Sequence, residues 1–192
     1  MKLLERRPIL LALAGPNGAG KTTFYDAHLS GFAFRFVNAD DLARQLELDP
    51  YSAAEAADRI RKEMFARRES FVFETVFSDP MGAKLEFLKE AERAGYTVVL
   101  FFIGVDRPET SKDRVAMRVA QGGHDVPNEK LDTRYQRVMT NLKRALAELS
   151  NVRVYDNSDL LHPYRLLALV EERALSVYPP TPKWLKSVLP AR

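Results

Sequence analysis

The residues Gly15-Pro-Asn-Gly-Ala-Gly-Lys-Thr22 place glycines, one lysine and one hydroxyl in the complete pattern G-x-x-x-x-G-K-[ST]. Each residue type answers a chemical need of polyphosphate binding. Glycines let the backbone curl so that several N–H groups point at one anion, and the helix that follows adds its positive end. A lysine here reaches the β- and γ-phosphates, and the hydroxyl ligates Mg²⁺. Gly15, Pro16, Asn17, Gly18, Ala19, Gly20, Lys21, Thr22 and Thr23 are therefore expected to bind ATP, with Thr22 on the metal and Lys21 also serving catalysis. A chance glycine turn does not explain the match, because the motif sits between an apolar run and a helical pattern, as its mechanism requires.

A phosphate loop after a parallel strand fixes the edge on which ligands bind, since all strands of such a sheet end on one side. The residues following the other expected strands are Asn38 and Asp40, Glu74, Asp106, and Asp156-Asn157. Phosphoryl transfer to a hydroxyl needs a carboxylate to take its proton and hold it in line, and an acidic group to orient the metal. Asp40 is the candidate base, with a helix N-cap as its structural alternative. Glu74 with Thr75 and Asn38 are candidate substrate contacts; Glu74 can instead be a strand-end carboxylate paired with an arginine. Asp106 fits a helix cap better than a metal site. The pattern leaves open which carboxylate serves Mg²⁺. Arg114 and Arg118 lie four apart ahead of Gly122-Gly123-His124. They can clamp phosphates under a closing lid, or form a solvated basic face.

The elements that must position these groups alternate. Strands are expected at 9–14, 34–38, 70–74, 96–105 and 152–155, the fourth apolar at nearly every position and so central. Helices are expected at 21–29, from Asp40 or Asp41 to about 47, 52–69, 80–94, 109–120, 128–149 and 162–175. In the third of these, Ala53, Ala56, Ala57, Ile60 and Met64 form an apolar stripe with arginines on the other faces. The alternation implies an α/β fold: a mostly parallel five-stranded sheet with helices on both faces, of the P-loop kinase architecture. One domain is expected over 1–175, followed by a proline-rich tail, 176–192, with no regular structure, packed through Trp184 and Leu185 or loose.

Composition narrows the classes. The chain has 192 residues, 29 basic and 26 acidic, and no cysteine. Disulfides, thiolate–zinc sites and cysteine nucleophiles are excluded, and the small positive excess argues against a nucleic-acid surface. The basic start and the run Pro8–Ala14 mimic a signal peptide, but cleavage would strip the phosphate loop of its strand. No apolar stretch reaches the roughly 20 residues of a bilayer span. A cytoplasmic protein that does not bind a membrane is expected.

Taken together, Gly15–Thr22, Asn38-Ala-Asp40 with Arg44, Phe73-Glu-Thr75 with Ser78, Arg118 through Gly122-Gly-His-Asp-Val-Pro127, Asn141-Leu142 and Tyr155-Asp-Asn-Ser158 resemble the zeta toxin family of P-loop kinases. The resemblance implies transfer of the ATP γ-phosphate to a nucleotide sugar, typically the 3′-hydroxyl of UDP-N-acetylglucosamine, and for toxin members a small helical antitoxin as partner. It implies Asp40 as catalytic aspartate, Glu74 as substrate contact and Arg118 as a phosphate-binding arginine. His124, expected to contact the substrate beside a catalytic Arg118, stands where the archetypal toxins carry a second arginine, in a shorter lid. Some relatives phosphorylate other nucleotides, so the resemblance gives a class of acceptor rather than its identity. Two other functions compete: a P-loop ATPase acting as a switch, and a polynucleotide kinase. Neither an Asn-Lys-x-Asp guanine motif nor a Leu-Ser-Gly-Gly-Gln transporter signature occurs in the chain.

Overall fold

In a computed structural model, which describes residues 2–120 and 128–190, the chain builds one seven-stranded sheet. Its strands are β1 (Ile9–Ala14), β2 (Arg35–Val37), β3 (Phe71–Thr75), β4 (Thr97–Gly104), β5 (Val152–Asp156), β6 (Arg165–Glu171) and β7 (Ala174–Val177). They lie in the order β2-β3-β1-β4-β5-β6-β7, so the most apolar strand, β4, is the central one. The first five are parallel, and β6 and β7 are antiparallel additions. The helices are α1 (Lys21–His28), α2 (Ala39–Leu46), α3 (Pro50–Ala66), α4 (Ala83–Arg93), α5 (Pro108–Ala120), α6 (Asn128–Glu148) and α7 (Lys183–Lys186).

All six residues of β1 are buried, as are seven of the eight in β4, so both faces of the sheet centre are covered. That is why these segments read as unbroken apolar runs instead of alternating ones. The register does the positioning. Ala12 lies between Phe73 and Leu100, and Val37 pairs with Phe73. The residues that come next, Asn38 just past β2 and Glu74 within β3 opposite Leu13, therefore lie side by side near the loop that leaves β1.

The structure corrects three expectations. The sheet has seven strands, not five, because residues 162–175 form no helix; they supply β6 and β7. Their leucines and alanines favour a helix locally, but β5 would otherwise end the sheet with unpaired N–H and C=O groups, and pairing Val154 with Ala168 satisfies them. The hairpin turns at Glu172 and Arg173, both at positive φ, without the glycine or asparagine that usually announces such a turn. Second, the proline-rich tail does form a helical turn, α7, which buries Trp184 and Leu185. Trp184 sits over Gly104, where an added Cβ would lie 2.4 Å from the indole. Third, α3 buries Arg61 on the same line as Ala53, Ala57 and Met64, so one arginine lies within the apolar stripe and not outside it.

Candidate active site

The loop Gly15–Gly20 leaves β1 and enters α1 through Gly20 at φ 87°. Gly15 sits at φ 146°, and a Cβ there would lie 2.1 Å from the Ile103 carbonyl oxygen, so no other residue fits against β4. The Lys21 ammonium is buried. It donates to the carbonyls of Gly15 (3.1 Å) and Pro16 (3.0 Å), and lies 3.7 Å from the Glu74 carboxylate. A buried ammonium needs such partners to stay charged. Other elements hold the loop from outside. Ser111 of α5 donates to the Asn17 carbonyl at 2.6 Å, Asn157 after β5 to that of Ala19 at 2.8 Å, and the Tyr164 hydroxyl to that of Gly20 at 3.0 Å.

Glu74 is the hub. Its Oε2 accepts from the Thr22 hydroxyl at 2.9 Å and from Asn38 Nδ2 at 3.2 Å. Asn38 is buried, and its Oδ1 accepts from the Asp40 amide at 2.8 Å. The N-cap of α2 is thus Asn38, and Asp40 belongs to the first turn. This relieves Asp40 of the capping alternative: among the described residues its carboxylate has no hydrogen-bond or ion-pair partner, and it opens into a cavity of about 320 Å³ that Asn38, Glu74 and Thr75 also line. Thr75 Oγ1 accepts from the Phe77 amide at 3.1 Å, holding that residue at φ 63°.

The remaining strand-end residues divide. Asp106 accepts from the Thr110 hydroxyl at 2.6 Å at the start of α5. Asp156 shapes its own turn through Ser158 and Arg165, while its neighbour Asn157 reaches the phosphate loop. Arg44 pairs with Asp41 on the surface. Arg114 donates to the Ser158 carbonyl at 3.3 Å. Arg118 has its backbone in α5, and its side chain lies outside what is described; His124 lies outside the described residues.

Three cavity residues were not singled out from the sequence: Arg61 of α3, Lys84 of α4 and Arg134 of α6. Arg61 lies 2.6 Å from Asp58 and stacks over the Phe73 ring at 5.1 Å. Asp58 takes Lys84 (2.9 Å) and Lys62 (3.0 Å) as well. Burial acts to raise the carboxyl of Asp58, but hydrogen bonds from Lys84, Lys62 and Arg61 outweigh it and hold the group well below the usual aspartate range. The only sequence signal for Arg61 was its four- and eight-residue spacing from Ala57 and Ala53. Tyr164 and Ser111 offered none, because their partners are backbone carbonyls far away in the chain.

The donor set fits a magnesium nucleotide: a curled loop of amides, a buried lysine, and a hydroxyl beside a carboxylate. Among the described residues no group of three His, Asp or Glu side chains could hold a metal alone. That is the usual arrangement for Mg²⁺, which keeps its waters and takes most protein contacts through one or two residues and the phosphates.

Fold and site are those of the P-loop kinases. The family model described as "Zeta toxin" matches residues 38–166, about two thirds of the chain, and the protein belongs to that family. Comparison with curated protein sequences gives no match. Among solved structures, AvrRxo1-ORF1 in complex with AvrRxo1-ORF2 and sulphate ions superposes with a TM-score of 0.74 at 20% identity, over 97% of this chain and 66% of that one. The same pair with ATP gives 0.71 at 21% identity, over 92% and 63%. The PezAT chromosomal toxin–antitoxin system of Streptococcus pneumoniae gives 0.61 at 19% identity, over 79% and 69%. The chain thus spans a little under two thirds of the chain length in these two AvrRxo1 structures. Among the described residues no helix is long and apolar enough to cross a membrane.

Proposed function

We propose that the protein transfers the γ-phosphate of ATP to a hydroxyl of a nucleotide-like small molecule, with a nucleotide sugar of the UDP-N-acetylglucosamine kind as the leading acceptor. The observation that carries this reading is the shared cavity. Glu74 touches both Lys21 and Thr22 of the phosphate loop, and the same cavity wall presents Asp40, whose carboxylate has no partner among the described residues. A switch ATPase needs no such acceptor chamber.

The roles follow from chemistry. The loop amides and Lys21 bind the phosphates and offset the charge that grows on them during transfer. Thr22, with Glu74 behind it, would hold Mg²⁺, which supplies charge neutralisation on the β- and γ-phosphates. Asp40 accepts the proton of the acceptor hydroxyl as the new oxygen–phosphorus bond forms and ADP leaves. Asn38 keeps Glu74 and the first turn of α2 in register, with both of its amide atoms engaged by protein. On the family resemblance of the sequence, Arg118 acts on the transferring phosphate and His124 contacts the substrate. The names of two neighbours, a two-component complex and a toxin–antitoxin system, support a small antitoxin as the partner in the cytoplasm, where ATP is supplied.

Incubating purified protein with ATP–Mg²⁺ and a mixture of nucleotide sugars and dinucleotides, followed by mass spectrometry, tests the reading. One component is expected to gain a phosphoryl group, and Lys21→Ala to abolish that gain. ADP release that no component accelerates would point to the switch instead, and normal turnover by Lys21→Ala at saturating ATP would overthrow both.

A further inference from the structure

The cavity that joins Glu74 and Asp40 also contains charge that the described residues do not neutralise. Its lining carries Asp40, Glu74 and Asp79 against Arg61, Lys84 and Arg134, a formal balance that hides a separation. Glu74 faces the phosphate loop, bound to Thr22, Asn38 and Lys21. Asp79 is committed to the start of α4, where its carboxylate accepts from the amides of Ala83 and Lys84. Asp58, behind the wall, is one carboxylate shared by Arg61, Lys62 and Lys84, leaving that group two positive charges in excess. Arg134, only partly exposed, has no ion pair and no hydrogen bond to any described residue. Holding a half-desolvated guanidinium with no anion is unfavourable, and a ligand anion would relieve it.

The space around these cations has an outlet. Ala54, Arg61 and Lys84 line both this cavity and a larger cleft of about 1020 Å³ between α3 and α4. At the outer cleft Tyr51 and Met81 are exposed at 79% and 82%. A ligand with its hydroxyl near Asp40 would therefore have cations at its middle, and at its far end a cleft whose lining mixes Tyr51 and Met81 with charged side chains such as Glu55, Arg59 and Glu90.

We infer that Arg134 and Lys84 are the acceptor-specificity residues: they bind a phosphate group of the acceptor in the smaller cavity that both line, and Arg61, fixed by Asp58 and Phe73, positions Lys84 through the shared carboxylate. The inference rests on the phosphotransferase reading above. It assigns the acceptor anion to α4 and α6, apart from the phosphate loop that holds ATP. Arginine's fork suits a phosphate bidentately, and lysine adds a point charge.

Calorimetry with the phosphate loop filled separates the two sites. Protein saturated with the non-hydrolysable analogue adenylyl imidodiphosphate and Mg²⁺ is titrated with UDP, and in a second series with inorganic pyrophosphate. Both probes are expected to bind. Arg134→Gln and Lys84→Gln should each weaken them roughly tenfold or more, the scale of a charge-assisted hydrogen bond. Arg134→Lys should recover part of the loss. Lys143→Gln, an exposed charge removed from the same helix as Arg134, should change nothing. Analogue affinity should stay within twofold in every variant, which also shows that each is folded. If the analogue binds but neither probe does, or if both variants bind the probes within twofold of the parent, the subsite is overturned while the kinase reading stands. If the analogue itself fails to bind, the kinase reading falls and the inference with it.

Discussion

Replacing Asp40 by Asn separates the proposed catalysis from architecture, because the cap of α2 belongs to another residue, Asn38. The cap of α2 is the Asn38 side chain, which an exchange at Asp40 leaves untouched. Asp40 loses only a negative charge in the first turn, where an acid is worth about 0.3–1 kcal/mol at a helix N-terminus. In a chain of this length 1 kcal/mol shifts Tm by roughly 2–4 °C, so the melt should move by no more than about 4 °C. Loss of a general base costs on the order of 10²–10⁴-fold in the chemical step, equivalent to about 3–5 kcal/mol at 1.36 kcal/mol per decade. The kinetic cost therefore exceeds the structural one several-fold, and the two can be read apart. The assay pairs acceptor-dependent ADP release with differential scanning fluorimetry and a titration of ATP–Mg²⁺. Transfer should fall at least a hundredfold on that scale, with nucleotide affinity close to that of the parent. If Asp40→Asn transfers phosphate within about threefold of the parent, the carboxylate is not the base. If activity disappears together with a Tm loss well beyond 4 °C, the residue is structural and Glu74 becomes the candidate.

Three further perturbations probe what surrounds the base. Gly104→Ala drives a Cβ into Trp184, an overpacking that typically costs about 1–3 kcal/mol, so Tm should fall by roughly 2–12 °C. Trp184 is the only tryptophan, and its emission should shift to the red as it leaves the core; an unchanged spectrum and melt would contradict the packing. Asn157→Ala leaves the Ala19 carbonyl without its 2.8 Å donor and should weaken ATP binding by about 1–3 kcal/mol, the cost of an unsatisfied buried group, measurable by titration with the imidodiphosphate analogue. For Asp58 the sign is fixed by its lowered pKa. Its stabilising contribution is fully present above the ordinary aspartate value of about 3.9 and is lost as pH falls below it. The Tm gap between parent and Asp58→Asn should be constant from pH 7 to about pH 5 and close toward pH 3; a gap that widens on acidification would refute the ion cluster.

The sequence by itself determined the phosphate loop and most of the fold. Gly15–Thr22 is legible because its spacing is local: one strand, one tight loop and one helix start, all dictated by residues within a few positions of each other. β1 and β4 are legible because burial on both faces demands continuous apolar runs. The common edge followed from strand alternation; Asn38, Asp40 and Glu74 line one cavity there, while Asp106 and Asp156 are taken up by contacts of their own. Tertiary structure decided the rest. The segment 165–177 became a hairpin because β5 needed a partner along its open edge, a demand that Leu-Leu-Ala-Leu cannot announce through its own propensity. Asn38, not Asp40, became the cap, since both have the chemistry and only the exit geometry of β2 selects one. Arg61 was taken out of water because Asp58 lies one turn before it and the Phe73 ring lies beneath it, a pairing with a residue in another strand that helical spacing cannot reveal. Arg134 joins Asp40 across a gap of more than ninety residues for the same reason: contacts between distant segments are set by how the elements stack, and nothing in either segment's own pattern records them.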